Sequence, residues 1–429
     1  MKNNISNPYR HLLYFILASV LFIAACNKDD DPEPDINEEN EEFYEFMKDW
    51  YFWNDNIPNI NPSSYEDIFE VLEAIRFRPL DRWSFITDWQ EFLAYFQDSR
   101  FIGYGFGSSW DGSGKLRISF IHDAGDLYKN GVRRGWIVES INGTAISQGV
   151  NVNQLLGPNE EGISNTFVFR KPDNSTIEMT VAKKEIITNT VLHHEVLEVE
   201  NIKIGYMVLQ SFREPTEEEL KNVFADFYAE GIDELILDMR YNGGGLTRIA
   251  TQLASLIGGP ALAGQPFAKT VYNANKEDQY NRTDNFLNLE NSLGLTRLIT
   301  IATRASASAS EMVINGLTPY MDVYIVGNTT YGKPMGSNVF NYDNTWALAP
   351  ITFKVRNASD EGDYFDGLPV DIPAPDDLTR NFGDPEESSL QTAIAFILTG
   401  STKGAPVTEP LVRQPWEDMK GLRWESRSH

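Results

Sequence analysis

The chain has 429 residues, 41% of them hydrophobic and 12% aromatic, with 62 acidic against 36 basic side chains and a formal charge of −26. That length and apolar content specify a globular protein with a large core and two or three domains, and the acidic excess argues against nucleic acid and anionic lipid surfaces as partners. The single cysteine, Cys26, leaves no partner for an intramolecular disulfide.

In chain order, residues 1–25 read as a signal segment. Lys2 and Arg10 supply a positive start, and Leu12 to Ala25 form an apolar run of 14 residues, too short to span a bilayer comfortably but suited to a signal core. The run ends in Ile23-Ala24-Ala25-Cys26, which resembles a bacterial lipoprotein cleavage box. That resemblance implies lipidation of Cys26; the alternative is an ordinary secretory signal with an incidental cysteine. Residues 26–42, beginning Lys28-Asp29-Asp30-Asp31, are acidic and contain proline, as expected of a solvated tether. Their basic-then-acidic start is similar to export signals for the outer face of some Gram-negative outer membranes. The expected location is therefore the bacterial cell envelope, lipid-anchored in the outer membrane and surface-exposed.

From Phe43 the apolar spacing turns helical, through Phe46, Met47, Trp50 and Trp53, then Tyr65, Ile68, Phe69, Leu72 and Ile75, and again over Trp89 to Phe96. Residues 43–100 read as a small helical domain whose aromatics pack a core. Residues 101–184 read as β-rich: Gly103-Tyr104-Gly105-Phe106 precedes strands at Leu116–Ile121, Trp136–Ile141, Phe167–Phe169 and Ile177–Val181, with a turn at Asn142-Gly143. Gly-Tyr-Gly-Phe is similar to the carboxylate-binding loop of PDZ domains. Gly131-Val132-Arg133-Arg134-Gly135-Trp136-Ile137-Val138 running into Ile141-Asn142-Gly143 resembles their second signature, with Trp136 in place of the usual Asp. The resemblance implies a PDZ-like module in which Gly103, Tyr104, Gly105 and Phe106 bind a peptide end; consecutive N–H groups of a glycine-rich loop can hold a carboxylate, and a strand edge can pair with an extended peptide. Simple hairpin glycines are the alternative.

Residues 185–399 alternate strands and helices: strands at Ile204–Leu209, Leu235–Met239, Leu298–Ala302 and Tyr324–Val326, and helices marked by Leu220 to Tyr228 and Leu246 to Ile257. This pattern predicts an α/β domain. At its centre Ala305 to Ala309 alternate Ala and Ser, and Ser310, Glu311, Met312, Val313, Gly316 and Leu317 open a helix. A hydroxyl where a strand meets a helix N-terminus lies beside free N–H groups that favour an oxyanion, although a Ser-capped helix start would look the same.

Three segments carry a further resemblance. Asp238-Met239-Arg240-Tyr241-Asn242-Gly243-Gly244-Gly245, then Ala305 to Glu311, then Tyr331-Gly332-Lys333-Pro334 are similar, in order and character, to the motifs of the C-terminal processing, or tail-specific, serine peptidases. The resemblance covers roughly residues 100–395 and implies an α/β multidomain protein with a small N-terminal helical domain, a PDZ-like β domain and a crotonase-like ββα spiral peptidase domain. It also implies Ser308 as nucleophile, Lys333 as general base, and the amides of Ala309 and of Gly243 or Gly244 as the oxyanion hole. Related enzymes often carry Gln four positions after the lysine to orient its amine; here Ser337 stands there, a possible replacement. A lysine can take the serine proton only as a neutral amine, which requires burial; an exposed loop lysine is the alternative.

Of the five histidines, His11 leaves with the signal, His429 is the last residue, His122 belongs to the β-rich part, and His193 and His194 lie in a strand-like stretch. A Ser-His-Asp arrangement has no supporting motif, no histidine pair has metal-ligand spacing, and no cofactor is implied. Proteins or peptides are the expected partners. The rival readings are a catalytically inactive peptide-binding scaffold and a hydrolase of a non-peptide ester or amide. Residues 400–429 carry little pattern and read as a flexible tail.

Overall fold

The computed structural model describes residues 36–404 and 414–429. The signal segment, Cys26 and most of the expected tether lie outside the described residues. No described helix is long and apolar enough to cross a membrane.

A six-stranded sheet organises the larger half. Its order is Val191–Val199, Ile202–Leu209, Glu234–Asp238, Arg297–Ala302, Asp322–Gly327 and Ile372–Pro373. The first pair is antiparallel and the others are parallel. Parallel pairing requires crossovers, and helices Thr216–Glu230, Thr247–Gly258 and Ala309–Leu317 supply them. Strand side chains alternate between faces. Met207, Leu209, Leu235 and Leu237 pack under those three helices, while Ile204, Tyr206, Val208 and Ile236 meet Leu390, Ala393 and Ile397 of helix Ser388–Thr399. The neighbouring strands Glu234–Asp238 and Arg297–Ala302, in register at Asp238 and Ile301, therefore end side by side. The turns that follow them, 239–246 and 303–308, share one rim of the sheet.

The β-rich part forms an antiparallel sheet in the order Phe106–Trp110, Leu116–Ile121, Ile137–Ile141, Ser164–Arg170 and Thr176–Ala182. Its own core contains Tyr104, Phe106, Ile118, Leu127, Val138 and Phe167. Strand Phe106–Trp110 lacks the alternation expected of a strand, because every residue in it is buried.

Two segments differ from expectation. The first helix starts at Ile36, inside the expected tether. Glu38 and Glu39 in its first turn suit the positive end of the helix dipole, and the buried Asn40 donates to the carbonyls of Pro62 and Tyr65. The helix ends at Trp50, so Trp53 lies beyond it, and Phe69 is exposed. The N-terminal helices also share their core with the later chain: Phe43, Met47, Val71, Leu72 and Trp83 pack with Met335, Leu348 and Ile351. Strand Phe85–Asp88 pairs with Trp346–Ala349. The second difference is the tail. Residues 414–429 are largely buried, with a 3-10 turn at Pro415–Asp418 and a short helix at Gly421–Ser426.

Candidate active site

Three serines at alternate positions, Ser306, Ser308 and Ser310, follow strand Arg297–Ala302. Ser306 and Ser310 are fully buried. The Ser306 hydroxyl donates to the Met239 carbonyl at 2.7 Å and accepts from the Thr303 amide at 3.0 Å, and Ser310 donates to the Asn242 carbonyl at 3.1 Å. Ser308 is half-buried and lines a cavity of about 240 Å³. It caps helix Ala309–Leu317 with φ 57° and ψ −113°, a region that costs a non-glycine residue roughly 1–3 kcal/mol. The flanking serines thus brace the turn, and the middle one is held, under strain, toward open space.

Lys333 lines the same cavity, with 8% of its surface exposed. Its backbone is fixed by Glu311. That fully buried carboxylate accepts from the Ser308 amide at 2.9 Å, the Gly332 amide at 2.7 Å, the Lys333 amide at 2.8 Å and the Thr330 hydroxyl at 2.6 Å. Burial pushes the Glu311 carboxyl up from its ordinary value, and these donors oppose that push. One side chain therefore ties the main chain at residue 308 to the main chain at residue 333. By residue type alone Glu311 marks only a favourable helix start; the Ser-x-x-Glu spacing of a capping box is the signal for more.

The glycine turn supports the serine turn. Asn242 donates from its side chain to the Leu209 carbonyl, and its own carbonyl accepts from the Ala307 amide at 3.0 Å. Gly244 has φ +115°, and a Cβ there would come within 2.7 Å of the Ser308 Cβ and 3.1 Å of the Ala309 nitrogen, closing the space an oxyanion needs. The Gly244 amide donates to Asn242 Oδ1 at 2.9 Å. Of the two glycine donors considered, this leaves Gly243, together with Ala309 at the first position of the helix.

Of the remaining expected residues, Ser337 lines the same cavity, whereas the others lie outside it. The Ser337 hydroxyl donates to the Ala349 carbonyl at 3.4 Å, and Lys333 Nζ donates instead to Glu425 Oε1 at 3.1 Å. Glu425 lines the cavity too, a partner that no local pattern reveals because 92 positions separate it from Lys333. His193 pairs with Glu195 at 2.9 Å and His194 with Asp226 at 3.4 Å; among the described residues no histidine lines the Ser308 cavity. At the β-rich unit, the Tyr104 and Gly105 amides both donate to the His429 carbonyl, at 2.8 and 2.9 Å.

A buried ion network joins the two halves behind the glycine turn. Arg240 pairs with Asp238, Glu387 and Asp376. Asp376 also accepts from Tyr241 and from Arg134 of the β-rich unit. Burial alone would raise the carboxyls of Asp376 and Glu387, but the guanidinium charges of Arg134 and Arg240 hold both below the usual range.

Residues 203–373 match peptidase family S41, and residues 38–85 match the S41 N-terminal domain, together just over half of the chain. Carboxyl-terminal-processing peptidase 1 of Arabidopsis thaliana chloroplasts is 24% identical over 250 residues, which is 56% of this chain and 48% of that protein. The carboxy-terminal processing protease CtpA of Bacillus subtilis is 22% identical over 249 residues, 57% of this chain and 50% of that one. The chain therefore spans about half the length of the curated relatives it matches. A Bacteroides fragilis structure described as an S41 protease superposes with a TM-score of 0.68 at 23% identity, over 86% of this chain and 98% of that one. The photosystem II D1 C-terminal processing protease gives 0.51 at 19% identity, over 80% and 94%. Both show the same fold.

Proposed function

The chain belongs to peptidase family S41, and from that premise we propose that it is a serine endopeptidase that cuts protein substrates near their C-termini. The observation that carries this reading is the convergence of Ser308 and Lys333 on one cavity, while Ser306 and Ser310 are committed to buried hydrogen bonds. Ser308 Oγ attacks the scissile carbonyl as neutral Lys333 Nζ takes its proton. The carbonyl oxygen becomes an oxyanion held by the N–H groups of Ala309 and Gly243. The lysine returns the proton to the leaving amine, and water then hydrolyses the acyl-Ser308 ester by the same route. No metal or cofactor enters this sequence. The cavity walls include Phe92, Phe96, Met312, Met335 and Phe353, which favours an apolar side chain beside the cut bond. Cleavage of a denatured protein should fall by at least about a thousandfold in Ser308→Ala; undiminished cleavage would overturn the reading in favour of a different nucleophile.

The Gly103–Phe106 loop, read as PDZ-like, would receive the substrate's end through its amides. The Cys26 box supports a lipid anchor and a place in the cell envelope, at the outer membrane of a Gram-negative cell. Fatty-acid labelling should vanish in Cys26→Ala; a labelled alanine variant would exclude the anchor.

A further inference from the structure

Residues 414–429 run through the proposed cleft rather than away from it. Glu425 reaches Lys333 Nζ, and Trp424 lies 4.9 Å from the same amine. The Glu425 carbonyl would stand 2.7 Å from a Cβ on Gly243, so the segment's main chain fills the space beside the candidate oxyanion donor. The Ser426 carbonyl accepts from Gln210 at 2.7 Å. Arg427 stacks at 3.8 Å on Trp424 and 4.4 Å on Trp416, and donates to the Ala305 carbonyl at the edge of the serine turn. His429 then bridges to the β-rich unit: its amide donates to the Phe106 carbonyl at 2.7 Å, its carbonyl accepts from Tyr104 and Gly105, and its ring meets the Ser108 hydroxyl at 2.8 Å. A Cβ on Gly103 would lie 2.9 Å from the His429 oxygen, so that approach requires glycine.

We propose that residues 414–429 are an inhibitor in cis, occupying at once the Ser308–Lys333 cleft and the Gly103–Phe106 loop that substrate would use. This proposal rests on the peptidase reading. The segment engages the base directly: the Glu425 carboxylate pairs with Lys333 Nζ at 3.1 Å, and an ammonium held in an ion pair has no lone pair with which to take the Ser308 proton. It is also badly shaped for cleavage, because Gly421–Ser426 is helical and the Arg423 carbonyl is taken by the Arg427 amide at 3.1 Å. Its hold is limited. Arg427 is stripped of water, and that burial pushes its guanidinium down to about 10; desolvating a charge opposes seating. A substrate that offers an extended strand to the loop and an apolar side chain to the cavity can therefore displace it.

The test uses the full chain. Glu425→Gln and, separately, Trp416→Ala should each raise Ser308-dependent cleavage of a denatured protein by about tenfold. Each should also speed hydrogen exchange of the Tyr104 and Gly105 amides. A synthetic peptide of residues 414–429 should return the variants toward the wild-type rate, competitively with substrate. Wild-type rates and unchanged exchange in both variants would overturn the proposal. Faster exchange with no Ser308-dependent cleavage in any variant would support the seating of the segment and overturn the peptidase reading instead.

Discussion

Two glutamates reach Lys333, from two regions built in different ways. Glu311 sits in a nine-residue helix wholly inside the core and binds main-chain amides and one hydroxyl. Glu425 sits in a six-residue helix and binds the lysine side chain. The first fixes where the base stands; the second engages the atom that does the chemistry. Contacts to the backbone build a site, whereas a contact to the reactive side chain competes with its use.

The two glutamates differ most on removal of Glu311. Glu311→Ala leaves three amides and a hydroxyl without their acceptor, and unsatisfied buried groups cost about 1–3 kcal/mol each before relaxation. Chemical denaturation should report a loss of roughly 3–5 kcal/mol, with cleavage abolished. An Ala variant of ordinary stability would show that water replaces the carboxylate. Removing the Glu425 carboxylate should instead leave stability near wild type and raise the rate.

A smaller effect sharpens the roles of the serines. Ser306→Ala strands the Thr303 amide and should cost about 1–2 kcal/mol while cleavage persists, measured by thermal unfolding and by turnover. If Ser306→Ala is inactive but fully stable, the nucleophile has been misplaced by two residues.

The smallest expected effect lies behind the glycine turn. Asp376 and Glu387 have carboxyls held below their unfolded values. Their contribution to stability is present above the unfolded pKa of about 4 and is lost as pH falls through the lower folded values. Melting temperature should therefore drop on acidification below about pH 4, and Asp376→Asn should flatten that drop. An equal slope in the variant would remove Asp376 as its source.

Much of the site was legible because it is local. Strands Ile202–Leu209, Glu234–Asp238 and Arg297–Ala302 follow from short apolar runs between glycine-rich turns, and the alternation of Ala and Ser in 305–309 marks the turn itself. What escaped depends on distant chain. The N-terminal helices read as a separate domain because nothing in their spacing reveals Met335, Leu348 and Ile351 as core partners. The last sixteen residues offered no periodicity, since their order comes from Trp416, Trp424 and Arg427 stacking against each other and against Tyr331. Ser337 does reach the cavity, as its position four residues after the lysine implies, and its hydroxyl donates to the Ala349 carbonyl there.

Ser308 as a nucleophile activated by Lys333 has a chemical signature of its own. The most direct measurement is the rate at which a fluorophosphonate labels the full chain, with the modified residue identified by mass spectrometry. A single adduct on Ser308 is expected, faster in Glu425→Gln, and none in Lys333→Arg, because a guanidinium cannot give up its proton at working pH. An adduct on Ser306 or Ser310, or undiminished labelling of Ser308 in Lys333→Arg, would contradict this assignment.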